Sequence, residues 1–131
     1  MIWRDFVLEN DLSNNRLIEA LSRVLDVRPD DVRVTSSIED IAEDSAAIAL
    51  KEILPGECFN LQVTVYTTST VPDDAERVLK LSSEIGMRIL ISSDESPDPY
   101  EFVLVTPDGK SSKVHVYPSA LDELGEYKII D

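Results

Sequence analysis

The chain has 131 residues, 43% hydrophobic and 29% charged, which is the composition of one globular domain and too short for two good cores. Twenty-six Asp and Glu against 12 Lys and Arg give a formal net charge of −14, a surface that phosphate backbones and anionic lipids repel, so neither a nucleic-acid nor a membrane partner is expected. A single cysteine, Cys58, and a single histidine, His115, exclude an internal disulfide and any zinc site built from several such ligands, and no cofactor is expected.

The first element, Ile2–Leu8, alternates as a mostly buried strand, with Ile2, Phe6 and Leu8 on one face and Trp3 and Val7 on the other. No basic region followed by an apolar run opens the chain, so a secretory leader is not expected and the cytoplasm is the expected location. The longest apolar stretches, Ala46–Leu50 and Phe102–Val105, fall far short of the roughly 20 residues that cross a bilayer. Asn10–Asn15 supplies turn and cap chemistry. Leu17, Ile18, Leu21, Val24 and Leu25 then recur at helical spacing until Arg28-Pro29-Asp30 stops the helix, and Val32–Thr35 reads as a short strand.

Two readings compete over Ser36–Leu54. In one, Ile38, Ile41, Ala42, Ser45 and Ala49 line a helix capped by Ser36 and Glu39. In the other, which we favour, an acidic loop or short helix precedes a hairpin in which Ala46–Ile53 pairs with Phe59–Thr67 across the turn Leu54-Pro55-Gly56-Glu57. Cys58, beside Phe59 and Leu61, is expected to pack as a small hydrophobe.

Thr70-Val71-Pro72-Asp73 resembles a cap with a first-turn proline, and Ala75, Val78, Leu79, Ser82 and Ile85 form the stripe of a helix ending at Gly86. Asp73 and Asp74 suit the positive end of its dipole. Three further strands are expected, Met87–Ser92, Tyr100–Thr106 and Ser112–Tyr117, the last two joined by Pro107-Asp108-Gly109-Lys110. Ser119–Leu124 suits one helical turn, and Tyr127–Ile130 a terminal strand. The economical assembly is an α+β two-layer sandwich, a mostly antiparallel sheet with two main helices packed on one face.

Familiar catalytic patterns do not occur. There is no Gly-x-Ser-x-Gly elbow, and Gly56, Gly86, Gly109 and Gly125 are isolated at turns or helix ends rather than grouped in a phosphate loop. His115 lies between Val114 and Val116 and should face away from both, towards solvent or an edge. Nothing local around Cys58 supports a dyad with His115. Ser93–Pro99 carries three acids without the alternation or glycine of an EF-hand loop. Carboxylates are the credible reactive groups, which keeps a carboxylate-only or metal-assisted hydrolase as a third reading.

The acids are evenly divided between the halves of the chain, 13 with 6 bases on either side of residue 60, yet two windows hold acids and no Lys or Arg. Val34–Leu50 carries Glu39, Asp40, Glu43 and Asp44; Ile89–Gly109 carries Asp94, Glu95, Asp98, Glu101 and Asp108, with Tyr100 among them, expected to pack in the core first and to serve as an interface anchor second. Concentrated like charge focuses a negative potential and speeds encounter with a basic partner. The leading expectation is a non-enzymatic acidic binding protein for a basic protein, for example an immunity-type inhibitor of a toxin or nuclease. The alternative is a structural or assembly module that self-associates in a larger complex.

Overall fold

The computed structural model describes residues 2–37, 45–71, 75–93 and 96–130. Alternating apolar residues produce seven strands: β1 (Ile2–Leu8), β2 (Val32–Thr35), β3 (Ala47–Ile53), β4 (Leu61–Thr67), β5 (Ile89–Ser92), β6 (Glu101–Val105) and β7 (Ser111–His115). They form one sheet in the order β2-β3-β4-β1-β5-β6-β7. Five of its six neighbouring pairs are antiparallel, and β2 lies parallel to β3 with Val32 opposite Ala47.

Two helices, α1 (Asn14–Leu25) and α2 (Ala75–Ile85), make the long connections. The first carries the chain from central β1 to the β2 edge; the second carries it from β4 past β1 to β5. These crossovers leave oppositely directed strands and move in opposite directions along the sheet, so right-handed connections place both helices on the same face. There Phe6, Leu8, Leu61, Val63, Val65 and Ile89 of the sheet meet Leu17, Leu21, Val24, Val78, Leu81 and Ile85 of the helices. The expected sandwich is the observed one.

The helices also terminate each other. Arg77 Nη1 and Lys80 Nζ of α2 donate to Val24 O and Arg23 O at the end of α1, at 2.8 and 3.1 Å. In return Arg16 Nη2 of α1 donates to Ile85 O at 3.0 Å, and Arg23 pairs with Glu84 at 2.8 Å. Cations thus meet unsatisfied carbonyls at the negative end of each helix. Locally, Ser13 caps α1 by accepting from the Arg16 amide, and the helix ends where Asp26 turns left-handed at φ 56°, three residues before Pro29. Gly86, at φ 67°, ends α2 as its sequence position suggests. Of the expected cap Thr70-Val71-Pro72-Asp73 and the dipole partners Asp73 and Asp74, residues 72–74 lie outside the described residues.

Several sequence expectations need correction. The register of β1 against β4 shifts between Ile2 and Arg4, so simple alternation fails there: Trp3 packs with the helix-side core and meets Phe6 edge-on at 5.3 Å. Ala47–Ile53 is a strand paired in full with β4, as the favoured hairpin reading expects and against the helix reading, whose residues 38–44 lie outside the described residues. The connection to β4 is longer than a type II turn and is closed by Leu54 N–H donating to Asn60 O at 2.8 Å. Within it Phe59 takes the buried place, in the second-face core, and the adjacent Cys58 is exposed rather than packed as expected.

The second face is also a core. Val7, Phe59, Leu90 and Val116 are buried there, with Phe102, Leu104, Tyr127 and Ile129 packed around them. The cover is the C-terminal segment, which turns back through a wide helical turn at Ala120–Leu124 and returns along β7. Its last residues pair through one bridge, Val116 with Ile129, rather than through an expected strand over Tyr127–Ile130.

Candidate acidic interface

β6 begins and β7 ends at the same end of the sheet, with Glu101 directly opposite His115. The loop entering β6 is held by its own short polar side chains. Asp98 Oδ1 accepts from the Tyr100 amide at 2.9 Å, the Asp98 amide donates to Ser96 Oγ at 3.2 Å, and the Glu101 amide donates to Asp98 O at 3.2 Å. Val116 N–H donates to Tyr100 O at 3.0 Å and ties this loop to the end of β7.

This arrangement gathers acids that are distant in sequence. His115 Nε2 lies 3.5 Å from Asp98 Oδ2 and 3.9 Å from Glu101 Oε1. On the other side of the strand, Tyr100 donates its hydroxyl proton to Asp122 Oδ2 at 2.5 Å. The hydroxyls of Ser96 and Ser93 nearby, helped by Lys113 and His115, hold the Glu101 carboxyl below its usual pKa. The bond to Asp122 raises the Tyr100 phenol above its usual value, and the charges of Asp122 and Asp98 add to this.

Of the residues suggested by sequence, Asp98, Tyr100 and Glu101 stand together here. Tyr100 is half-buried against the second-face core, with its hydroxyl satisfied by Asp122. Asp94, Glu95, Glu39, Asp40, Glu43 and Asp44 lie outside the described residues. The strands flanking the two windows are nevertheless separated: β3 is second in the sheet, and β5 and β6 are fifth and sixth. Three to four strand spacings are about 14–19 Å, beyond the screening length of roughly 8 Å at physiological salt. Asp108 is separated as well, at the opposite end of β6, where Thr106 donates to its carboxylate and Lys110 lies 3.8 Å away.

Sequence reasoning overlooked Asp122, which the return of the C-terminal segment brings to Tyr100. The available signal was Asp122, Glu123 and Glu126 clustered in and just after an amphipathic turn. It also overlooked the outer face of the ribbon that follows β7. Val116 and its bridge partner Ile129 point into the second core, so alternation turns His115, Tyr117, Lys128 and Ile130 outward. Tyr117 N–H donates to Lys128 O at 2.9 Å, and the Lys128 ammonium lies 5.8 Å from the Tyr117 ring centre. A shallow hollow of about 260 Å³ opens beside them, lined by Tyr117, Ala120, Glu123 and Leu124 among others.

Among the described residues, no three His, Cys, Asp or Glu side chains converge on a point where a metal ion could sit, and no helix is long and apolar enough to cross a membrane. Cys58 is exposed in the β3–β4 connection, while the His115 ring nitrogen faces carboxylates. No family model, curated protein or solved structure matches the chain.

Proposed function

We propose that the protein is a non-enzymatic acidic binding protein that recognises a basic protein in the cytoplasm, as an immunity-type inhibitor of a basic toxin or nuclease would. The observation that carries this reading is the gathering of Asp98, Glu101 and Asp122 around Tyr100 and His115 at one end of the sheet, in a chain of net charge −14. Such a surface steers encounter with a cationic partner, and its backbone and side-chain hydrogen bonds hold it ready before contact.

The pKa directions support binding over acid–base chemistry. Asp11, Glu101 and Asp108 all have carboxyls held below their usual range, by Lys51, by Ser96 and Ser93, and by Thr106 respectively. A general acid needs the opposite displacement. The assembly-module reading draws on the exposed Ile2 and Ile53, at 58% and 67%. Like charge on every copy opposes it.

The test is affinity capture from the source organism, followed by purification of whatever is retained. The expected partner is basic, elutes at moderate salt, binds the D98N/E101Q/D122N variant more weakly, and loses activity in the complex if it is an enzyme. A neutral or acidic partner retained at high salt would overturn the reading.

A further inference from the structure

The outer face of the C-terminal ribbon combines features that the acidic cluster alone does not explain. Tyr117, Leu124 and Ile130 are 42%, 60% and 42% exposed, and they are three of the five large exposed apolar side chains among the described residues. Tyr117 and Leu124 line one hollow of about 260 Å³, large enough to take a side chain. Ile130 N–H donates to His115 O at 2.8 Å, so Ile130 stands beside His115 on the same outward face. His115 in turn faces Asp98 and Glu101, while Glu123 and Lys128 line the hollow. Apolar residues therefore share one outward surface with the charged groups Asp98, Glu101, His115, Glu123 and Lys128. Apolar anchors beside charged groups are the elements of a protein interface.

We propose that Tyr117, Leu124 and Ile130 are the apolar anchors of the partner interface, and that they receive an apolar side chain flanked by arginine or lysine on a basic protein. This rests on the acidic-binding reading and specifies its contacts. Charge selects the occupant: a second copy would set one chain of net charge −14 against another, whereas a cationic surface meets the exposed Asp98 and Glu123 favourably, with the mostly buried Glu101 behind them. Lys113 and Lys128 are the cations on this face, and the position of Lys128 over the Tyr117 ring shows that this ring accepts a positive charge on its face.

Two synthetic peptides of equal charge and length test this, one alternating Arg with Leu and the other Arg with Ser, titrated by fluorescence anisotropy against the whole protein at low salt. The Arg-Leu peptide is expected to bind about tenfold more tightly, the effect of burying one leucine-sized group. Leu124→Ser and Ile130→Ser should remove that advantage and leave Arg-Ser binding unchanged. D98N/E101Q should weaken both peptides alike, and Asp108→Asn, at the far end of β6, neither. If the peptides bind equally, or if Leu124→Ser preserves the difference, the apolar anchors are refuted while the acidic-binding reading stands. If neither peptide binds, both fall. A dimer detected by sedimentation and abolished by Leu124→Ser would overturn the choice of a basic partner in favour of a second copy.

Discussion

Leu90→Ala probes the second core directly. Leu90 is fully buried, paired with Val7 on one side and Leu104 on the other, under the returning C-terminal segment. Both neighbouring strands are fixed by sheet hydrogen bonds, so the cavity can shrink only if the cover settles, and that cover is joined to the sheet by the Val116–Ile129 bridge and the Tyr100–Asp122 hydrogen bond rather than by a full strand. Leucine truncations in rigid cores cost about 2.7–5 kcal/mol; partial settling puts this one near the lower end, about 3 kcal/mol. With an unfolding entropy of roughly 0.28 kcal/mol/K for a chain of this size, Tm should fall by about 10 °C. Urea unfolding followed by circular dichroism measures the change, with Ile53→Ala, 67% exposed, as a control expected to stay within about 0.5 kcal/mol of the parent. A loss below about 1 kcal/mol for Leu90→Ala would mean that the second face is wet and the C-terminal segment only rests on it.

Lys51 inserts a mostly buried side chain between β3 and the start of α1, donating to Leu12 O at 2.7 Å and Asn14 Oδ1 at 3.1 Å and pairing with Asp11 at 2.9 Å. Lys51→Met should cost about 1 kcal/mol, since Asp11 is more than half exposed and the pair is screened. The same change should raise the Asp11 pKa in an NMR titration, because the hydrogen bond from Lys51 is the main cause of its depression. With that pKa depressed, the parent gains stability from Asp11 above the unfolded value of about 3.9 and loses it as pH falls through the folded one; Lys51→Met should flatten this acid limb. Burial, with Asp5 and Glu52 nearby, raises the Tyr127 phenol. Its contribution is therefore complete below an unfolded value of about 10 and disappears as pH rises through the folded one, so Tyr127→Phe should make alkaline unfolding less steep. Gly86→Ala meets no atom within 4 Å but must adopt φ 67°, and thermal melts should show a loss of about 1 kcal/mol.

The helices, the β3–β4 pair and the β6–β7 hairpin were legible in the sequence because local chemistry decides them. Helical spacing from Leu17 to Leu25, Gly86 after Ile85, and Asp108-Gly109 between alternating runs each permit few conformations. The parallel pairing of β2 with β3 was not legible, since it depends on where α1 delivers the chain. Nor was the second core, whose C-terminal members Val116, Leu121, Tyr127 and Ile129 are too sparse to show periodicity before the chain folds back. Trp3 illustrates the same limit on a smaller scale, because one irregular residue in β1 reverses a face assigned by alternation. At the candidate site, local sequence identified Asp98, Tyr100 and Glu101. The contribution of Asp122 and the outward set of Tyr117, Leu124 and Ile130 required the path of residues 116–130.

The central claim concerns charge, and the salt dependence of affinity tests it most directly. For the basic protein recovered by capture, calorimetric titration across about 50–300 mM NaCl should show Kd rising steeply for the parent and more gently for D98N/E101Q/D122N, because screening acts on the charges these substitutions remove. A Kd that is flat with salt, or equal slopes for parent and variant, would contradict the account.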